Sequence, residues 1–245
     1  MRVSGHALCA RESASGGALG AVPGEVLRVG SASSGAPDGI CLKKTKRRPG
    51  KADAAAQKAF VEEYRTFRAE LPSDQAIGFL DESGFEHNSR PARCLIRKGA
   101  EKYLSSNSGY KRLNALGCVI LEDLEVDVVY TEGTINADLV KAYLEALEPK
   151  LSFQKLHLFV DNASFHKALE EESFAKIELH FLPTYAPNLN LFERIWGFSK
   201  KELLDNQYYA TFPEFHEAFC TFFCDLNSRK EELRSLLTEK FQIIK

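Results

Sequence analysis

The sequence predicts an α/β domain built on a mixed sheet with helices on both faces, and three observations carry that expectation. Apolar runs bounded by polar turn residues recur at "AIGFLDES" (76–83), "ALGCVILED" (115–123), "HLFVD" (157–161) and "IELHFLP" (177–183), the pattern of strands covered on both sides. The early strands follow one another closely, as antiparallel neighbours do. The later ones alternate with stretches whose apolar residues recur at helical spacing, as parallel crossovers do.

Taken in order, residues 1–40 hold half of the glycines and no aromatic residue, in a Ser/Ala/Gly pattern without period. Such a segment cannot bury enough surface to offset its ordering entropy and is expected to be disordered. Residues 41–75 read as a basic linker and a connecting helix, because "AAAQKAFVEEYRTFR" (54–68) sets Phe60, Tyr64 and Phe67 on one stripe. Strands are expected at 76–83, 115–123 and 124–132, with a hairpin partner near "RCLIR" (93–97). "NADLVKAYLEALEPK" (136–150) places Leu139, Tyr143, Leu144 and Leu147 on one face, so it is a helix leading back to the strand at 157–161. A strand at 177–183 and a helix at 189–204 close the domain, and "PEFHEAFCTFFCDL" opens the C-terminal helices of 206–245. The order βββ-α-β-α-β-α over 76–205 is that of the ribonuclease-H-like fold, a mixed five-stranded sheet flanked by helices. No internal repeat is visible.

A hydrophobic fraction of 44% can fill a sizeable core, and no stretch nears the about 18 consecutive apolar residues of a membrane helix. No apolar signal segment opens the chain, so a cytoplasmic location and no membrane partner are expected. The six cysteines form no CxxC pair and no zinc-like spacing with histidine. They read as reduced thiols, with Cys220 and Cys224 packing in the core from one helix face. The net charge of -2 hides an uneven distribution. "KKTKRRPGK" (43–51) carries six basic residues in nine, and residues 87–112 hold seven Lys/Arg against Glu101 alone. Each run reads alone as a solvated face; beside a carboxylate cluster both read as a surface for a polyanion.

The carboxylates supply that cluster. Asp81 ends one apolar strand and Asp161 another, and in a ribonuclease-H-like sheet those two strands are central neighbours. Glu193 lies in the first turn of the helix after "LPTYAPNLN" and points to the same place. Taken singly, Asp81 also reads as a turn residue, Asp161 as a helix cap, and Glu193 with Asn190 as a capping box. Together they repel one another unless protonated or bridged by cations. Mg2+ suits such oxygen donors, and two ions about 3.5 to 4 Å apart clamp the attacking and leaving oxygens of a phosphodiester displacement.

"FLDESGF", "FVDNASFH" and "LPTYAPNLNLFERIW" resemble the three signature blocks of the DDE transposases of the Tc/mariner superfamily, in particular the bacterial insertion-sequence branch (the insertion-sequence six-thirty group). The resemblance spans residues 42 to about 205, and the third block is the most specific. It implies that Asp81, Asp161 and Glu193 are catalytic ligands of two Mg2+ ions, with Mn2+ as a substitute. It also implies cleavage at transposon ends and joining of the freed 3′-OH to target DNA, by a homodimer assembled on DNA. The chain departs from the pattern at Leu191, where proline is usual, and at "RCLIRKG", where a Gly-Trp-x-Pro turn is usual. The family's N-terminal helix-turn-helix domains are not visible, so residues 1–40 are expected to be a relic segment and a separate helix-turn-helix half is a candidate partner. Asn162 and Asn190 are expected to support the acids. Lys43, Lys44, Lys46, Arg47, Arg48, Arg97, Lys98, His166, Arg194 and Lys200 are expected to contact DNA, Lys200 because it lies seven residues after Glu193 on the same helical face. Trp196, with Phe192 and Ile195, reads as core. Two other functions compete. An aspartate-nucleophile phosphatase needs a second Asp two residues after Asp81, where Ser83 stands. An inactive remnant would bind DNA non-specifically or pair with an intact transposase.

Overall fold

The computed structural model describes residues 50–51, 53–107, 111–169 and 172–244; the expectations for residues 1–40 and for the basic run before Gly50 lie outside them. Five strands, β1 (Gln75–Glu86), β2 (Arg112–Ile120), β3 (Glu125–Thr131), β4 (Lys155–Val160) and β5 (Ile177–Phe181), form one sheet in the order β3-β2-β1-β4-β5. The first three pair antiparallel, and β4 and β5 run parallel to β1. Six helices accompany them among the described residues: α1 (Ala54–Glu70), α2 (Ala137–Leu147), α3 (Ser164–Lys167), α4 (Phe192–Leu204), α5 (Phe212–Leu226) and α6 (Lys230–Leu236). This is the mixed sheet of the ribonuclease-H-like fold.

Strand alternation divides the interior into two layers. Phe79, Phe85, Val119 and Phe159 face Tyr64 of α1, Ile195 and Trp196 of α4, Phe215 and Phe219 of α5 and Leu233 of α6. Leu80, Leu116, Leu158 and Val160 face Val140 and Leu144 of α2. Helices α1 and α2 both begin on capping side chains. Asp53 accepts from the Ala55 and Ala56 amides at 2.8 and 3.2 Å, and Asn136 accepts from Leu139 at 3.0 Å, satisfying amides that the helix leaves without partners.

The strand expected at 93–97 does not form. β2 takes the place of a hairpin partner, pairing antiparallel with β1 from Gly78 to Glu86. Residues 91–107 form no helix or strand, and Leu95 and Ile96 are exposed. Cys224 is exposed and Cys220 half-buried, its thiol 3.2 Å from the Tyr130 hydroxyl. The expected core role is therefore met in part by Cys220, which packs against the edge of the core, and fails for Cys224, because Phe215, Phe219 and Phe222 take the inward face of α5.

One glycine sets how closely α4 approaches the sheet. A Cβ built on Gly117 would lie 2.3 Å from the tip of the Phe192 ring, and that ring is fully buried with its centroid 4.6 Å from Trp196. Gly117→Ala is expected to cost about 1–3 kcal/mol, the usual range for overpacking, read as a lower urea midpoint. An unchanged midpoint would show that Phe192 moves aside freely.

Candidate active site

Phe79 of β1 and Phe159 of β4 lie in register, so two residues further on Asp81 and Asp161 emerge side by side at the same end of the sheet. Asp81 is buried at 6% exposure, and its partner across β2 is Gly117. Phe192 fits over that glycine and seats the first turn of α4, which carries Glu193, beside Asp81. Asn190 fixes the same junction from within the core. Its amide donates to the Leu80 carbonyl at 2.8 Å, and its side-chain oxygen accepts from the Phe192 amide at 3.0 Å. The alternative reading of Glu193 and Asn190 as a capping box is not met: α4 starts at Phe192, so Glu193 is its second residue and Asn190 binds the helix start through a tighter turn.

The carboxylates crowd one another. Burial, then Glu193, Glu82 and Asp161, push the Asp81 carboxyl well above its ordinary value of 3.8. Burial and Asp161 raise Glu82, and Glu193 is raised by burial and Asp161 although Lys200 opposes this. Asp161 goes the other way: burial would raise it, but hydrogen bonds from His166 and the Ala163 amide hold it below its ordinary value. Those bonds measure 2.8 Å from His166 Nδ1 and 2.9 Å from Ala163, both to Oδ1. One donor atom each from Glu82, Asp161 and His166 lie within 4.8 Å of one another. Asp81 Oδ2 and Glu82 Oε2 are buried without a hydrogen-bond partner among the described residues. Acceptors left this way are costly unless a cation or proton serves them. Asp81, Glu82, Asp161 and Glu193 thus offer the hard oxygen donors that fit a divalent cation such as Mg2+ or Mn2+.

Glu82 was not singled out from the sequence as a site residue. It faces away from α4, with Leu80, but Asp161 lies one residue beyond the end of its strand and turns toward α3, where Glu82 reaches it. Asn162 donates to the Leu182 carbonyl and so ties the end of β4 to the end of β5. Lys200 stands over the Phe85 ring, its Nζ 2.6 Å from Ser83 Oγ; burial holds its ammonium below the ordinary range despite Glu193 and Asp81 nearby. Arg97 and Lys98 are exposed on the segment between β1 and β2. Lys43, Lys44, Lys46, Arg47 and Arg48 lie outside the described residues. Trp196 is core, packed against Phe85 and Phe192.

Two expected DNA contacts are otherwise engaged. Arg194 donates to the carbonyls of Leu236, Thr238 and Lys240, so its guanidinium pins the C-terminal segment to α4. His166 is 1% exposed and directed at Asp161; its position on α3, five residues after Asp161, curls it back onto the acid. His166→Ala is expected to weaken Mn2+ binding about 10- to 100-fold, the usual cost of losing a hydrogen bond that orients a ligand. DNA affinity measured without divalent ions should stay unchanged; the reverse pattern would restore the DNA-contact role.

No curated protein matches the sequence. Solved structures share the fold. The Mos1 strand transfer complex matches with a TM-score of 0.55 at 14% identity, over 85% of this chain and 68% of that one. The mariner Mos1 paired-end complex with Mg gives a TM-score of 0.54 at 16% identity, over 84% and 68%. The complex with Mn gives 0.55 at 14%, over 85% and 69%. At these identities the likeness is one of fold. The family model for DDE superfamily endonucleases matches residues 76–216, more than half of the sequence and a span that includes Asp81, Asp161 and Glu193, and the chain belongs to that family.

Proposed function

We propose that this chain is the catalytic part of a DNA transposase of the Tc/mariner superfamily, in the bacterial insertion-sequence branch, which cleaves DNA strands at transposon ends and joins them to target DNA. The observation that carries the reading is the convergence of Asp81, Asp161 and Glu193 at one end of the sheet, with buried carboxylate oxygens lacking partners. The Mos1 structures of like fold are transposon-end and strand-transfer complexes, two of them with Mg or Mn. Asp81, Asp161 and Glu193 would hold two Mg2+ ions, or Mn2+ in their place, with Glu82 at the margin. The ions would supply Lewis-acid activation of the attacking oxygen and stabilise the leaving one.

The chain's own groups then have distinct tasks. Asn190 holds the backbone of β1 against the start of α4, keeping Asp81 and Glu193 at a fixed separation. His166 fixes the orientation of Asp161. Lys200, from its place between Ser83 and Glu193, meets a backbone phosphate of the strand being cut. Arg97, Lys98 and the basic run from Lys43 to Arg48 draw in DNA through its phosphates, with a steep salt dependence. The working form is a homodimer on DNA in the cytoplasm, completed by a helix-turn-helix half that reads the transposon ends.

The test is strand nicking with Mg2+ on DNA carrying the element's ends and on random DNA, by the chain alone, by a fusion to a helix-turn-helix end-binding domain, and by that fusion carrying Glu193→Ala. Cutting is expected to be weak and unselective for the chain alone and end-specific for the fusion. A fusion as inactive as its Glu193→Ala control would refute the reading in favour of a non-cutting remnant.

A further inference from the structure

A second group of metal-ligating side chains lies on the α1 face of the sheet, away from the four carboxylates. His157 in β4 precedes Asp161 by four residues, about 13 Å along a strand. In the neighbouring edge strand β5, Glu178 pairs with His157 and His180 with Phe159. His157 Nδ1 and His180 Nε2 are 3.0 Å apart. The Glu178 carboxylate lies 3.6 Å from the first nitrogen and 3.7 Å from the second. A tetrahedral ion with bonds of about 2.0–2.1 Å holds neighbouring donors about 3.3–3.4 Å apart, so the three donors already outline one face of such a site.

The surroundings suit that use. Gln75 Oε1 is 2.7 Å from His157 Nε2; it accepts a hydrogen bond from Nε2–H, which keeps the proton on that nitrogen and leaves the Nδ1 lone pair facing His180 and Glu178. This is the arrangement by which a supporting hydrogen bond orients a histidine ligand. Phe67 of α1 packs on both imidazoles, with centroids at 4.8 and 5.5 Å, and His180 stacks on Phe159 at 5.0 Å. The rings are therefore held in place before any ion arrives. Burial keeps both imidazoles below their ordinary pKa, hence neutral near pH 7, the form that binds metal. Glu178 is 44% exposed and leaves a side open to water.

We propose that His157, His180 and Glu178 form a binding site for a borderline transition-metal ion, Zn2+ in particular, distinct from the carboxylate site. Two imidazoles and one carboxylate with a free fourth position match zinc, whereas an all-oxygen set favours Mg2+ or Mn2+. The ion would tie edge strand β5 to β4. His180 must move its proton from Nε2 to Nδ1 to bind. Lys155, which pairs with Glu178, is the competitor for the carboxylate.

The experiment is a Co2+ titration of the full chain followed by absorbance, with Zn2+ as displacing ion. One Co2+ per chain with the intense visible bands of tetrahedral nitrogen–oxygen coordination is expected, displaced by Zn2+ and retained in Asp81→Asn. Gln75→Leu should weaken binding about 10- to 100-fold, His180→Ala and Glu178→Gln at least as much, and Lys155→Met should tighten it. Glu178→Gln, at an exposed position, keeps the test decisive if His180→Ala does not fold. Binding unchanged in Glu178→Gln, thiolate charge-transfer bands from the cysteines, or no tetrahedral Co2+ spectrum would overturn the site.

Discussion

Asp81→Asn is expected to abolish metal-dependent strand cleavage while making the metal-free protein more stable. The loss should be at least about 10³-fold, since the charge stabilisation a bound ion supplies is several kcal/mol and each 1.36 kcal/mol is tenfold in rate. The gain arises because Asp81 is a buried carboxyl facing Glu193, Glu82 and Asp161. An amide of the same shape carries no charge for them to repel, so the variant should melt at a higher temperature than wild type in the absence of metal. A carboxyl whose pKa is higher in the folded than in the unfolded chain binds its proton more tightly when folded. Its contribution is therefore greatest below the ordinary value of 3.8 and is lost as pH rises through the raised range. Asp161, held below 3.8, contributes the opposite way: its stabilisation is present above that value and fades as pH falls through its folded pKa. Melting curves in chelator should show wild type losing ground to Asp81→Asn as pH rises above about 4, with the gap closing on addition of Mn2+. A variant less stable than wild type at pH 7 without metal would mean that Asp81 has an unrecognised partner.

Asn190→Ala is expected to have the next largest effect, on stability and cleavage together. The side chain spans two buried backbone groups, the Leu80 carbonyl and the Phe192 amide. Leaving both unserved costs about 2–4 kcal/mol at 1–3 kcal/mol for each such group, reduced where the backbone relaxes. These two bonds join the residue before Asp81 to the residue before Glu193, so their loss lets the two acids drift. A misplacement of about 1 Å can cost about 10²-fold in rate. The signature is a fall in turnover with DNA affinity nearly unchanged. A stability loss with full turnover would assign Asn190 to packing alone.

Much of this geometry was legible in the sequence because local pattern and chemistry coincide there. Asp81 and Asp161 end apolar runs, and the succession of elements makes their strands neighbours, as the register of Phe79 with Phe159 bears out. Asn190 and Glu193 stand in a dense motif at a helix start. What was not legible depends on distant partners. Arg194 reads as a free cation on an exposed helix face until the C-terminal segment, more than forty residues away, returns to supply its carbonyls. His166 reads as a surface histidine until α3 curls it onto Asp161. Glu82 is placed by strand alternation on the wrong face, and joins the cluster only because Asp161 turns away past the end of its strand. The run "RCLIR" looks like a strand by composition, yet the antiparallel place beside the end of β1 goes to β2.

The most direct test of the carboxylates as a metal centre is a calorimetric Mn2+ titration of the wild-type chain beside Asp161→Asn. Asp161 is half exposed, so the substitution should leave the fold intact, which a melting curve checks. Wild type should bind Mn2+ more tightly as pH rises, releasing protons from the raised carboxyls of Asp81, Glu82 and Glu193, and Asp161→Asn should lose that binding. Equal Mn2+ binding by the two proteins, with the same proton release, would contradict a metal centre built on Asp81, Asp161 and Glu193.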